Sequence, residues 1–251
     1  MRIGIIGFGN LGRALASGLR KSGAAGAELY VCEKAPDVRN IAEAAPYNAH
    51  ASDDVNFAIS NSDVIFLTVK SYVFEELALV IDKSKLEGKT VVSFMAGVPF
   101  EKIYALIGDV ALVRAMPSLA IAACDGVIGY TQAPAAVADI FHRLGYAFET
   151  SPDEIEKVMA FSSCGLGFAA YLIDAFASAG QMMGFDRETS ARIAAQTFKN
   201  AVERGGFRET VGAVATPGGA TEQGVLHMDG AGVYDIVAGA VRKAYERMAG
   251  G

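Results

Sequence analysis

The sequence has no tryptophan, three histidines and three cysteines. Cys32, Cys124 and Cys164 lie too far apart for a metal motif or a paired redox centre, so they read as buried thiols in a reducing cytosol. His50, His142 and His227 have no spacing that suggests metal ligands or a triad, and no metal is expected. Positive charge is also short. Against 28 Asp and Glu there are 22 Lys and Arg, and the net charge of −6 argues against a nucleic-acid partner. Internal repeats and low-complexity tracts are missing. So is a long uncharged apolar run: the stretch 165–185 comes nearest, but Asp174 sits in its middle and Gln181 follows. A charge there costs about 2.5–3.5 kcal/mol in a bilayer, so the stretch reads as a tightly packed helix and not a membrane span. The apolar run after Met1-Arg2 is too short for a signal peptide, and a cytoplasmic location is expected.

What is present begins at the first residues. Ile3 to Ile6 is long enough for one buried strand, Gly7-x-Gly9-x-x-Gly12 follows, and Arg13 to Leu19 has helical spacing. Strand, glycine turn and helix in that order form the dinucleotide fingerprint. Gly7 makes the tight turn, Gly9 lets the backbone approach a pyrophosphate, and Gly12 lets the helix pack close to the strand. The helix N-terminus then offers free N–H groups to the phosphates. A glycine-rich turn without a ligand is the competing reading.

A second strand, Glu28 to Cys32, ends at Glu33-Lys34. Glu33 stands about 20 residues after Gly12, where an acid accepts from the adenosine ribose and repels a 2′-phosphate. That favours NADH over NADPH, with Lys34 pulling the other way. Helical spacing returns over Val38 to Ala45, and Ser52-Asp53-Asp54 reads as the cap of a helix reaching Ile59. Ser62 to Lys70 is an apolar strand that ends in a cation, which a parallel sheet places at the ligand crevice. Further strands are expected over Thr90–Gly97, Val110–Ser118, Gly126–Tyr130 and Tyr146–Glu149, with a short helix after Pro99 and another over Ala135–Leu144. The alternation predicts an α/β fold, a Rossmann-type doubly wound parallel sheet with one or two extra strands over residues 1–150.

At Ser151-Pro152-Asp153-Glu154 the pattern changes to a capped helix start. Residues 151–251 read as all-helical, with helices over Asp153–Ser162, Gly165–Met183, Asp186–Glu203, Phe207–Val214, Gly219–Met228 and Gly232–Met248. So much apolar helix after a complete nucleotide domain needs somewhere to bury its faces, and a second copy of the chain is the expected place. Between two of these helices lies Thr216-Pro217-Gly218-Gly219-Ala220-Thr221. Its glycines leave backbone N–H groups uncovered at a helix start, and Thr221 adds a hydroxyl there. The turn reads equally as a cradle for a small carboxylate or as an ordinary helix–helix connection.

These segments together resemble the pyrroline-5-carboxylate reductases. The likeness rests on Gly7 to Gly12, Val69-Lys70, Ser93 to Val98, Arg114 to Pro117, Asp174 to Gly180, Ala194 to Thr197 and, most specifically, Val214 to Thr221. The resemblance implies a Rossmann domain followed by an all-α dimerisation domain, forming a homodimer or a larger homo-oligomer with shared active sites. It implies hydride transfer from NADH or NADPH to the C=N carbon of a cyclic imine acid, 1-pyrroline-5-carboxylate, giving proline. Gly218, Gly219 and Ala220 then hold the substrate carboxylate, and Thr221 bonds the ring nitrogen as the catalytic residue. On the cofactor side stand Gly7, Phe8, Gly9, Asn10, Leu11, Gly12, Glu33, Lys34, Val69, Lys70, Ala96, Gly97, Met116, Pro117 and Ser118. The chain departs from the family at Ser118-Leu119-Ala120, where Asn-Thr-Pro is usual, and at Ser162 to Phe168. Two alternatives follow: a reductase of a different cyclic imine, or a dinucleotide-binding paralogue without turnover. A β-hydroxyacid dehydrogenase is disfavoured, because residues 161–185 offer no lysine as acid or base.

Overall fold

The computed structural model describes residues 1–23 and 28–249. The chain groups into two compact units: one takes in residues 1–163 and the chain end from Tyr245, the other Cys164–Ala244.

The first unit is built on a sheet of eight strands: β1 (Arg2–Ile6), β2 (Glu28–Cys32), β3 (His50–Ser52), β4 (Val64–Leu67), β5 (Thr90–Ser93), β6 (Ala111–Pro117), β7 (Gly126–Tyr130) and β8 (Gly145–Glu149). Their order is β3-β2-β1-β4-β5-β6-β7-β8. The first six are parallel, β7 runs antiparallel to β6, and β8 returns parallel to β7. The strands alternate between two cores, as a period of two requires. Ile3, Ile5, Phe66 and Val92 face α1 (Asn10–Lys21) and, further along the same layer, α6 (Ala135–Arg143). Ile6, Ile65, Leu67 and Val91 face α3 (Val55–Ser60), α4 (Phe74–Val80) and α5 (Phe100–Ile107). Covered on both sides, the central strands have no need of polar residues, which is why they read as continuous apolar runs. The remaining helix of this layer system, α2 (Pro36–Glu43), follows β2.

Two local expectations change. The segment before Asp53 contains the short strand β3, paired with β2 through Tyr30 and His50; three residues with no apolar alternation carry no strand signal. Within the expected Ser52-Asp53-Asp54 cap, it is Asp54 that starts α3, its carboxylate accepting from Asn56 N–H at 2.9 Å. Pro152 does not start a helix. Residues 152–154 form a turn closed by Glu154 N–H to the Ser151 carbonyl at 3.1 Å, and helix α7 covers Ile155–Val158. It runs on through a wider π-helical turn, Met159–Ser163, before α8 (Cys164–Met182). Ile155–Met182 is long and apolar enough to cross a membrane by length and composition, and only a small share of its side chains is buried.

The second unit is helical: α8, α9 (Arg187–Arg204), α10 (Phe207–Val214), α11 (Ala220–Gly230) and the larger part of α12 (Val233–Ala249). Helices α8 and α9 approach closely where Gly180 meets Ser190, and Phe176 packs edge-on to Phe198. Beyond Ala177, Ser190 and Ala194, its described side chains are largely in contact with solvent, including Tyr171, Met182, Met183, Phe207, Leu226, Tyr234 and Ile236.

The first layer is closely packed at Gly18 of α1. A Cβ there would lie 2.3 Å from the Ile121 carbonyl oxygen and 2.5 Å from a methyl of Leu144. Gly18→Ala is expected to destabilise the protein by about 1–3 kcal/mol, because backbone cannot give way as a side chain can. Urea unfolding checks this; an unchanged midpoint would show that α1 moves off the 119–123 turn without penalty.

Candidate active site

The strand order reverses between β1 and β4, so the chain leaves a crevice at the carboxyl ends of these strands. A cavity of about 600 Å³ occupies that position. Its floor is the glycine turn. Gly7 has φ +95°, a left-handed conformation that glycine adopts without strain. Its N–H donates to the Cys32 carbonyl at 2.8 Å, and its carbonyl accepts from the Thr68 hydroxyl at 2.6 Å. Helix α1 then starts with Gly9 as cap, and nothing lies within 4 Å of the position a Gly9 Cβ would take. Open space above a helix N-terminus fits the close approach of a pyrophosphate. Gly12 does the opposite job: a Cβ there would sit 2.2 Å from the Gly7 carbonyl oxygen.

At one side of the cavity Glu33 is held by two backbone donors, Phe8 N–H to Oε2 at 2.9 Å and Ala35 N–H to Oε1 at 3.2 Å. Arg39 braces the same corner by donating to the carbonyls of Glu33 and Lys34 at 2.8 and 2.7 Å. Lys34 points to Glu76 at 3.6 Å, both side chains being exposed, a pairing worth little in water. Lys70 stands exposed at the rim. The far wall is apolar: Met95 and Ala96 after β5, Met116 and Pro117 in β6, and Met159 and Ser163 from the wide turn. The Ser163 hydroxyl donates to the Pro117 carbonyl at 2.9 Å, closing that wall. A fixed carboxylate, an open glycine turn and an apolar far end match the three parts of a nicotinamide dinucleotide, so the residues present fit that group.

Of the residues expected on the cofactor side, the cavity lining brings together Gly7, Gly9, Asn10, Leu11, Glu33, Lys34, Val69, Lys70, Ala96, Met116 and Pro117. Phe8, Gly12, Gly97 and Ser118 lie outside it. Phe8 is fully buried and packs edge-on to Tyr47. Ser118 is buried too, its hydroxyl accepting from Val127 N–H at 3.1 Å. The lining adds Cys32, Thr68, Ser71, Val73, Leu77, Phe94, Met95, Leu119, Met159 and Ser163. Thr68 was open to sequence reasoning as the polar residue two before Lys70; the methionines had no such signal.

In the second unit the turn before α11 is organised from within. Gly218 takes φ +72° and gives its N–H to Glu222 Oε2 at 2.7 Å, while Gly219 N–H donates to the Thr216 carbonyl at 2.8 Å. Two of the three N–H groups expected to hold a carboxylate are therefore already partnered. Ala220 and Thr221 are the first residues of α11, with N–H groups that precede any intrahelical acceptor, and Thr221 is exposed.

Residues 152–250 match the family model described as pyrroline-5-carboxylate reductase dimerisation, and residues 2–97 match one described as NADP oxidoreductase, coenzyme F420-dependent. The chain is 30% identical to the pyrroline-5-carboxylate reductase of Aquifex aeolicus, over 98% of this chain and 96% of the relative. It is 28% identical to that of Escherichia coli, over 98% and 96%. Its fold is similar to the pyrroline carboxylate reductase of Plasmodium falciparum with NADP bound, with a TM-score of 0.89 at 22% identity, over 100% of this chain and 97% of that one.

Cys32 offers a check on the cavity. Burial, with a smaller contribution from the nearby Glu33 carboxylate, pushes its thiol up to about 11, so it stays protonated at neutral pH. Iodoacetamide at about pH 8 is expected to spare Cys32 in the native protein while modifying it after denaturation, where an ordinary thiol is partly ionised. Peptide mass spectrometry reads the result; rapid native alkylation at Cys32 would contradict this environment.

Proposed function

The chain belongs to the pyrroline-5-carboxylate reductase family, and on that premise we propose that it reduces 1-pyrroline-5-carboxylate to proline at a site built from the cavity and the Thr221 turn. The observation that carries the reading is the cavity at the strand reversal, floored by the glycine turn and flanked by a held carboxylate, in a chain related to these reductases along nearly its whole length. The bound dinucleotide supplies hydride to the imine carbon. What remains for the protein is orientation, charge and exclusion of water. The apolar wall of Met95, Met116 and Met159 keeps water from the reacting centre. The N–H groups of Ala220 and Thr221 hold the substrate carboxylate at a helix N-terminus, and Gly218 and Gly219 shape the turn that exposes them. The Thr221 hydroxyl bonds the ring nitrogen. A cyclic imine is readily protonated near neutral pH, so no stronger acid is required.

The exposed apolar side chains of the helical unit support a homodimer, or a multiple of one, in which each site draws the cavity from one copy and the Thr221 turn from another. Three free cysteines and a nicotinamide cofactor fit the cytoplasm. A second reading, reduction of a different cyclic imine, is favoured by Leu119: an apolar side chain lines the cavity where the family usually places a polar one.

Loss of NADH absorbance with 1-pyrroline-5-carboxylate tests the activity, and a carboxylate-free cyclic imine run alongside separates the two readings. No turnover of either imine by protein that binds NADH would count against the proposed activity and in favour of the non-catalytic paralogue. A hydrogen bond to a charged group contributes about 1.5–3 kcal/mol. Thr221→Ala is therefore expected to lower kcat/KM by roughly 10- to 150-fold, and Thr221→Ser to keep most of the activity, with NADH affinity nearly unchanged. An unmodified rate in Thr221→Ala removes this residue from the nitrogen.

Cofactor choice rests on Glu33. Its fixed carboxylate accepts from a ribose and repels a 2′-phosphate, and Lys34 has Glu76 beside it. NADH is expected to outperform NADPH, and Glu33→Ser to move the ratio of kcat/KM values toward NADPH. A strong NADPH preference in the unmodified protein would show that Lys34, or another residue, governs this pocket in place of Glu33.

A further inference from the structure

Three walls of the cavity are fastened at one point. The side chain of Arg114, in the middle of β6, is 4% exposed, and that of Glu156, in α7, is 17% exposed. Arg114 Nη2 donates to Glu156 Oε1 at 2.5 Å and to the Met95 carbonyl at 3.3 Å. The same Oε1 accepts from Gly97 N–H at 3.2 Å. Each element tied here carries a wall residue a short step along the chain: Met95 after β5, Met116 in β6, and Met159 after α7. The main chain of Arg114 is fixed as well, by Thr131, whose hydroxyl oxygen accepts from its N–H at 3.0 Å.

Stability is a poor reason for this arrangement. A buried ion pair stabilises little compared with apolar side chains of the same size. Here, moreover, Arg114 Nε and Glu156 Oε2 are buried with no hydrogen-bond partner among the described residues, which costs free energy. What the pair does is geometric: one carboxylate oxygen joins the middle of β6, the turn after β5 and a helix.

We propose that Arg114 and Glu156 are positioning residues for hydride transfer, setting the spacing of the Met95–Gly97, Met116 and Met159 wall. The glycine turn takes the pyrophosphate and Glu33 the adenosine ribose, so this wall borders the nicotinamide end. Its spacing fixes how closely the nicotinamide and the imine carbon approach, and a displacement near 1 Å costs about 100-fold in rate. The inference rests on the reductase reading; turnover by the unmodified protein establishes that reading first, and the variants are then compared with it.

Arg114→Met combined with Glu156→Leu removes both charges without stranding either, a change that folds often survive. The double variant is expected to unfold at a similar temperature, to exchange its Gly97 amide hydrogen at least about tenfold faster, and to lose kcat by about 10- to 100-fold, with KM for the imine within about threefold. Glu156→Gln keeps the side-chain length and an acceptor for Gly97 N–H while giving up the charge. It is expected to melt earlier yet hold Gly97 exchange and kcat within about threefold. A folded double variant with faster Gly97 exchange and unmodified kcat overturns the proposal. So does a Glu156→Gln variant that loses kcat tenfold while Gly97 stays protected, because charge and not position would then govern the rate. Should the double variant fail to fold, the Gln variant alone decides.

Discussion

The closest backbone approach behind the cavity is that of α1 to the turn after β1. With no side chain at Gly12, the helix comes so near that any Cβ would overlap the Gly7 carbonyl oxygen. That oxygen is also the acceptor for Thr68, and the N–H of Gly7 is spent on Cys32. The turn is therefore tied to β2 on one side and to the end of β4 on the other, across the place where the strand order reverses. Phe8 extends the connection. Its ring is anchored in the core and its N–H holds the Glu33 carboxylate, so the glycine turn and the Glu33 corner of the cavity form one hydrogen-bonded piece. Little has to be ordered when a ligand arrives, which lowers the entropic cost of binding.

How much of this was legible follows from where each signal resides. The glycine turn, Glu33 and Lys70 are local: each stands at the end of an apolar run, and burial on both faces makes those runs conspicuous. Strand β3 left no trace, because an edge strand of three residues needs no apolar alternation. The far wall was only half legible. Met116 and Pro117 came from family likeness, but Met95 and Met159 are brought together by tertiary packing and have no periodicity to mark them. The same limit applies to Phe8, Gly218 and Gly219. Their positions in the motifs were plain, yet whether a particular N–H faces a ligand or is spent depends on a carboxylate many residues away, a carboxylate one helical turn on, or a carbonyl within the turn itself.

The helical unit shows a different kind of legibility. Its elements follow the spacing of apolar residues closely, with α10 over Phe207–Val214 as expected. The physical reason for so many apolar positions is not visible within one chain. Helices α10 and α11 have no buried residue, and the tight contact of α8 with α9 is made by Gly180, Ser190 and small alanines. Large side chains left over from such packing are the ones an oligomeric interface would use, in keeping with the match of this region to a dimerisation family.

The wide turn at Met159–Ser163 places two residues, one from each end of it, on the cavity wall. It also acts as a phase shift along the helix. An α-helix advances about 100° per residue, so taking up one extra residue in a turn rotates the following helix by about that angle relative to an unbroken one. A one-residue deletion between Met159 and Ser163 would remove no charged group and would leave an uninterrupted helix, but it would carry Ser163 about 100° round the helix, away from the wall it now shares with Met159. Helix continuity here matters less than helix timing.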